Sequence, residues 1–172
     1  MIEGGIGGAN TQTGLHFEGK VDLLEVIKKV PHYQVNDDGE IFYKDKKIAL
    51  SFRKGKLYKF LISEGVDYKE LISKRLLPDD AIFIPGTKTF YVIEMKFQKV
   101  AGSVDEKLQT CHFKKRQYEV LLKPLGVKVE YIYILSDWFR SPSYKDVLEY
   151  IKEVGCDYYF EDLPLERIGL MT

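Results

Sequence analysis

Between Pro78 and Gln98 the chain places two acids, a third acid and a lysine where they can meet. It reads Pro78-Asp79-Asp80, an apolar run from Ala81 to Ile84, and the turn Pro85-Gly86-Thr87-Lys88. A second run from Thr89 to Ile93 then continues as Glu94-Met95-Lys96-Phe97-Gln98. Two runs rich in β-branched and aromatic residues, joined by a turn with Pro and Gly, predict a β-hairpin. In antiparallel strands of similar length, Asp79 or Asp80 at the start of the first lies beside Glu94 and Lys96 near the end of the second. Glu94 and Lys96 are two apart, so they share a face while Ile93 and Met95 point the other way. Such carboxylates can hold a hard divalent cation such as Mg²⁺, which keeps several waters and accepts phosphate oxygens from a substrate. The cation makes a bound water easier to deprotonate and neutralises charge on an attacked phosphorus. Lys96 would fix that water or stabilise the developing charge. Asp79, Asp80 and Glu94 are therefore candidate metal ligands, with Asp79, Glu94 and Lys96 the catalytic candidates. A charged pair within the apolar run from Phe90 to Phe97 is costly to bury unless a cation compensates it.

The elements around this stretch must position it. From Thr13, a plausible cap, Leu15, Val21, Leu24, Ile27 and Val30 recur at helical spacing until Pro31, which predicts a first helix carrying Glu18. Glu40–Tyr43, Lys47–Phe52 and Lys56–Ile62 read as short strands after the turn signal Asn36-Asp37-Asp38-Gly39. Their Lys44, Lys46, Lys47, Arg53, Lys54, Lys56 and Lys59, interleaved with Phe42, Tyr43, Phe52, Tyr58 and Phe60, form the most basic region. That region is either a ribbon lying along a nucleic-acid backbone or an ordinary meander with a lysine-rich outer face. Asp67 to Leu76 reads as a short helix. Ser103 followed by Glu106 resembles a capping box. The helix it opens has an apolar stripe of Val104, Leu108, Cys111, Tyr118, Leu121 and Leu122, broken near Cys111, and a polar face with Lys107, Gln109, Lys114, Lys115, Arg116 and Gln117. Val127 to Leu135 predicts a buried strand parallel to the Glu94 strand across a helical crossover. Ser143 to Val154 predicts a helix, Cys156 to Phe160 a last strand, and the remainder an irregular tail. Trp138 reads as a packing residue. The predicted class is α/β, a mixed central sheet flanked by helices.

Pro78-Asp79 followed by Glu94-Met95-Lys96 matches the pattern Pro-Asp, gap, Asp or Glu, any residue, Lys, and the chain resembles the PD-(D/E)XK nuclease superfamily. More narrowly, Gly8-Ala9-Asn10-Thr11, Thr13-Gly14-Leu15, Phe17-Glu18, Ile93 to Gln98 and Gly102 to Thr110 resemble one group of small type II restriction endonucleases. The resemblance covers most of the chain and is specific at Glu18, Asp79, Glu94, Lys96 and the neighbourhood from Gln98 to Thr110. It implies a restriction-endonuclease-like core and Mg²⁺-dependent hydrolysis of phosphodiester bonds, Mn²⁺ substituting, in double-stranded DNA at a short specific site. Glu18 would then assist through the metal or its waters, with Asp80 replacing or supporting Asp79. Asn10, Thr11, Gln98, Ser103, Lys107, Gln109, Lys114, Lys115 and Arg116 would contact DNA. A cognate DNA methyltransferase is an implied partner. Cutting both strands of a symmetric site needs two active sites related by a two-fold axis, hence a homodimer.

At 172 residues with 45% hydrophobic, the chain suffices for one domain with a real core, taken as 1–172. Residues 1–12 read as a flexible arm or a functional loop, because the glycines there lack the preceding strand and the Lys-Ser/Thr of a phosphate-binding loop. Lys plus Arg equals Asp plus Glu at 26 each, so net charge neither favours nor opposes nucleic acid. Cys111 and Cys156 form no Cys-x-x-Cys, which argues against a disulfide framework or zinc site and for a cytoplasmic protein with free thiols. No signal peptide or membrane-spanning run is evident. His16, His32 and His112 have no metal-ligand spacing. Two rivals remain: a structure-selective repair or junction-resolving nuclease of the same fold, and a non-catalytic nucleic-acid-binding domain whose acids only pair with lysines.

Overall fold

The computed structural model describes residues 14–19, 21–100 and 104–171. The carboxylate hairpin is the centre of a seven-stranded sheet. In chain order its strands are β2 (Tyr33–Val35), β3 (Glu40–Tyr43), β4 (Lys46–Ser51), β5 (Asp80–Ile84), β6 (Thr89–Lys96), β7 (Lys128–Leu135) and β8 (Asp157–Phe160). They lie side by side in that order, antiparallel from β2 to β6 and parallel from β6 to β8. Short turns join β2 to β3, β3 to β4 and β5 to β6, a longer connection carrying α2 (Lys56–Ser63) leads from β4 to β5, and each parallel step needs a crossover. The first runs through α3 (Val104–Lys107) and α4 (Cys111–Leu122), the second through α5 (Lys145–Glu153).

Strand alternation divides the interior into two cores. Phe90 and Val92 of β6 and Val129, Tyr131, Tyr133 and Leu135 of β7 face the helices α2 (Lys56–Ser63), α4 and α5. Tyr91, Ile93, Met95, Ile132 and Ile134 face α1 (Leu23–Lys28) and the C-terminal segment. With both faces covered, β6 and β7 read as continuous apolar runs. Each fully buried aliphatic or aromatic side chain among them adds roughly 1.5–3 kcal/mol relative to exposure.

The predicted hairpin, the parallel β7, the helix before β8 and β8 itself are all present. Four expectations are corrected. The predicted helix from Thr13 is instead β1 (Gly14–His16), a bend, and the six-residue α1. Leu15 and Phe17 are both fully buried at strand spacing. Gly19 then turns the chain at φ +78°, and the Asp22 carboxylate accepts the Leu24 N–H at 2.9 Å to start the helix one residue later. Lys56–Ile62 is the helix α2, not a strand, because Leu57, Tyr58 and Leu61 are buried at helical spacing. The helix expected from Asp67 is a single 3₁₀ turn at Tyr68–Glu70. The tail is ordered: β9 (Asp162–Pro164) pairs with β1, and Leu163, Leu165, Ile168 and Leu170 are buried in the second core. The helix after β6 breaks at a 3₁₀ turn over Leu108–Thr110, just before Cys111. Among the described residues no helix is long and apolar enough to cross a membrane.

Candidate functional site

Register decides which aspartate meets Glu94. Asp80 pairs with Ile93, so Asp79, one residue before the strand, stands opposite Glu94. Opposed residues in an antiparallel pair share a face. Lys96 Nζ accordingly lies 3.0 Å from Glu94 Oε2 and 3.8 Å from Asp79 Oδ2. A fourth group completes the cluster: Lys114 Nζ, from α4, donates to both Glu94 oxygens at 2.9 Å. Lys114 is thus bound to the acid rather than displayed on the polar face of its helix. Its spacing contains the signal, for it falls three residues after buried Cys111 and four before buried Tyr118, on the core-facing stripe.

Neighbouring contacts fix this geometry. The buried Ser136 hydroxyl accepts the Gln98 N–H at 3.1 Å and donates to the Gln98 carbonyl at 3.2 Å, and the Ser136 N–H donates to the Lys96 carbonyl at 3.1 Å. The end of β6 is thereby clamped to the end of β7. Tyr133, beside Glu94 in the parallel register, donates to the Lys107 and Leu108 carbonyls at 3.3 Å each, tying the sheet to the turn that leads into α4.

Glu94 is 4% exposed. Burial pushes its carboxyl up, but the ammonium groups of Lys96 and Lys114 outweigh burial and hold it below the usual glutamate range. The Tyr131 hydroxyl is buried beside it without a well-formed hydrogen bond. Burial, followed by the Glu94 charge, drives that phenol far up and keeps it neutral.

Asp80 lies on the opposite face. Its Oδ1 is 3.0 Å from Arg53 Nε, and Arg53 also bonds the carboxylate of Asp22, the helix cap. Burial raises the Asp80 carboxyl to about 7, with Arg53 pulling it down and Asp22 and Asp79 adding to the rise. These groups border a cleft of about 440 Å³ together with Lys54, Leu77, Pro78 and Met95. The pleat turns Asp80 away from the face that carries Glu94. The helical spacing from Thr13 conceals Asp22, because the true cap lies nine residues further on.

The other candidates are dispersed. Glu18 sits in the bend after β1, its side chain 89% exposed, 3.9 Å from His16 Nε2 and outside the group around Glu94. Lys115 donates to the Gly155 carbonyl at 2.7 Å, and Arg116 is exposed on α4. Exposed Gln109 lines a separate cleft with Glu106, Asp146 and Tyr150, and Lys107 is exposed at the end of α3. Asn10, Thr11 and Ser103 lie outside the described residues, as does the 1–12 arm. The basic ribbon is broken up: Phe52 and Tyr58 are core residues, Lys47 pairs with Glu40 at 2.9 Å, and Arg53 is committed to the aspartates. Trp138 donates to the Tyr144 hydroxyl at 2.7 Å and packs.

Among the described residues no group of three or more His, Cys, Asp and Glu side chains forms a ready-made metal cage. Mg²⁺ does not require one, since one or two carboxylates with water and phosphate oxygens serve it. Asp79 and Glu94 both lie within 4 Å of the Lys96 ammonium, so the two carboxylates are neighbours on one face. No family model matches the chain, and no curated protein or solved structure matches it either.

Proposed function

We propose that the chain is a Mg²⁺-dependent DNA endonuclease with a PD-(D/E)XK core, most like the small type II restriction enzymes. The observation that supports this most directly is the placement of Lys96 Nζ 3.0 Å from Glu94 and 3.8 Å from Asp79, on one face at the open end of a hairpin. The mixed sheet with a crossover helix behind that hairpin accords with the reading.

Asp79 and Glu94 would hold the metal, which when bound supplies a more acidic water and neutralises charge on phosphorus. Lys96 orients the attacking water and stabilises charge on the phosphoryl oxygens. The water oxygen forms a bond to phosphorus as the bond to the leaving sugar oxygen breaks. Glu94 is kept ionised by its lysines and is ready to accept a metal without first losing a proton. Duplex DNA is the proposed substrate, cut by a homodimer. Incubation of plasmid with purified protein, with and without Mg²⁺, tests the reading: discrete linear fragments with Mg²⁺ are expected, and intact plasmid under all conditions would reject it. Cutting confined to branched DNA would point instead to the structure-selective enzymes.

The complete pairing of Glu94 with lysines favours one other reading, a non-catalytic domain in which the cluster is only structural. Such a domain gains no thermal stability from Mg²⁺.

A further inference from the structure

Glu94 is met by more positive charge than one carboxylate balances. Lys96 approaches a single oxygen at 3.0 Å, and Lys114 straddles both at 2.9 Å. The two lysines differ in how they are held. Lys96 is two residues along the same strand, 16% exposed in its side chain, and also within reach of Asp79. Lys114 comes from another element, its side chain is 28% exposed, and the only acid it pairs with among the described residues is Glu94. The two basic residues that follow it are turned elsewhere, Lys115 to Gly155 and Arg116 to solvent.

A divalent cation arriving at Glu94 needs the lone pairs that Lys114 occupies, because two carboxylate oxygens offer about four acceptor positions in all. It also repels an ammonium at that distance. Lys114 is the more exposed of the two and lacks the second acid that holds Lys96, so it is the more readily displaced. Once displaced it is a strongly hydrated point charge on a flexible stem at the rim of the site, suited to a phosphate oxygen.

We infer that Lys114 is a placeholder cation, holding Glu94 in the metal-free protein, expelled when the metal binds, and then donating to a backbone phosphate of the nucleic acid. The inference rests on the nuclease reading and adds a coupling to it. Metal and nucleic acid strengthen each other's binding, because each favours the position of Lys114 that the other requires, and such coupling is reciprocal.

The test uses the full chain with Mn²⁺ as the probe, followed by electron paramagnetic resonance, and a phosphorothioate duplex that resists hydrolysis. Without DNA, Lys114→Met is expected to bind Mn²⁺ about tenfold more tightly than wild type, while Lys114→Arg stays near wild type. With Mn²⁺ present, the plot of log affinity for the duplex against log salt should be shallower for Lys114→Met by about 0.9, the value for one lost phosphate contact. Without metal the two slopes should coincide. Lys114→Gln gives the same readings if the methionine variant does not fold. Unchanged Mn²⁺ affinity, or a slope difference that ignores metal, would overturn the placeholder role while leaving the nuclease reading intact. Mn²⁺ binding that is absent from wild type, or that survives Glu94→Ala, would overturn both.

Discussion

Glu94 and Asp80 are buried to the same degree, each 4% exposed, on opposite faces of one hairpin, and their carboxyls are driven in opposite directions. Burial disfavours the charge of both. Glu94 meets two ammonium groups and is held ionised below the ordinary range. Asp80 has one guanidinium, shared with Asp22, and two neighbouring aspartates, and it rises to about 7. Depth does not decide whether a buried acid stays charged; the balance of partners does. The same contrast separates the adjacent residues Asp79 and Asp80, one beside Lys96 and the other locked into a bridge from α1 to the sheet.

The largest expected effects fall on the Glu94 face. Glu94→Ala, Lys96→Ala or Asp79→Asn should lower plasmid cleavage by at least about 10³-fold, as should excess chelator, with circular dichroism and DNA binding retained. Asp80→Asn should cost no more than about tenfold, since Asp80 pairs with Arg53 on the opposite face. Equal losses for Asp79→Asn and Asp80→Asn in the same nicking assay would erase the distinction between the faces.

On the other face the effects are on stability. Arg53→Met leaves Asp80 and Asp22 without their cation and should destabilise by roughly 1–3 kcal/mol in urea unfolding at pH 8, less than a fully buried pair because Arg53 is 36% exposed. At pH 5 the loss should shrink, because Asp80 is then largely protonated in the folded state.

A comparable effect follows from the raised Asp80 carboxyl in the wild-type protein. Its folded value exceeds its unfolded one, so ionisation costs stability progressively as pH rises from about 4, and the full cost is reached above about 7. Between pH 5 and pH 8 this should amount to roughly 2–3 kcal/mol, seen as a falling urea midpoint that Asp80→Asn flattens. Glu94 has the opposite sign, its contribution being present above the unfolded value and lost as pH falls through the depressed folded one. The smallest effect is expected at the exposed Lys145–Glu149 pair on α5, where Lys145→Ala should change stability by about 0.5 kcal/mol or less.

What could be read from the sequence was local. The hairpin announces itself by two β-branched and aromatic runs around a Pro-Gly turn, and strand periodicity places Glu94 with Lys96. The choice between Asp79 and Asp80 needed a register fixed only by the pairing of whole strands, since a one-residue slip exchanges the faces. α2 was misread because Lys56 to Ile62 is rich in aromatic and branched residues, and tertiary burial of Leu57, Tyr58 and Leu61 decided in favour of helix. Residue type alone puts Lys114 on a solvated face, whereas its spacing from Cys111 and Tyr118 directs it inward. The helical spacing around Glu18 gives way to the β1–β9 pairing.

That pairing has a consequence for how the molecule is assembled. His16 bonds Asp162 across a separation of 146 residues, so the β1–β9 ribbon closes a loop of nearly the whole described chain. Contacts of such long range carry a high closure entropy and form late. Leu163, Leu165 and Ile168, next to that ribbon, seal one side of the sheet. The apolar surface beneath Leu163, Leu165 and Ile168 is therefore covered only when segments far apart in sequence have been brought together.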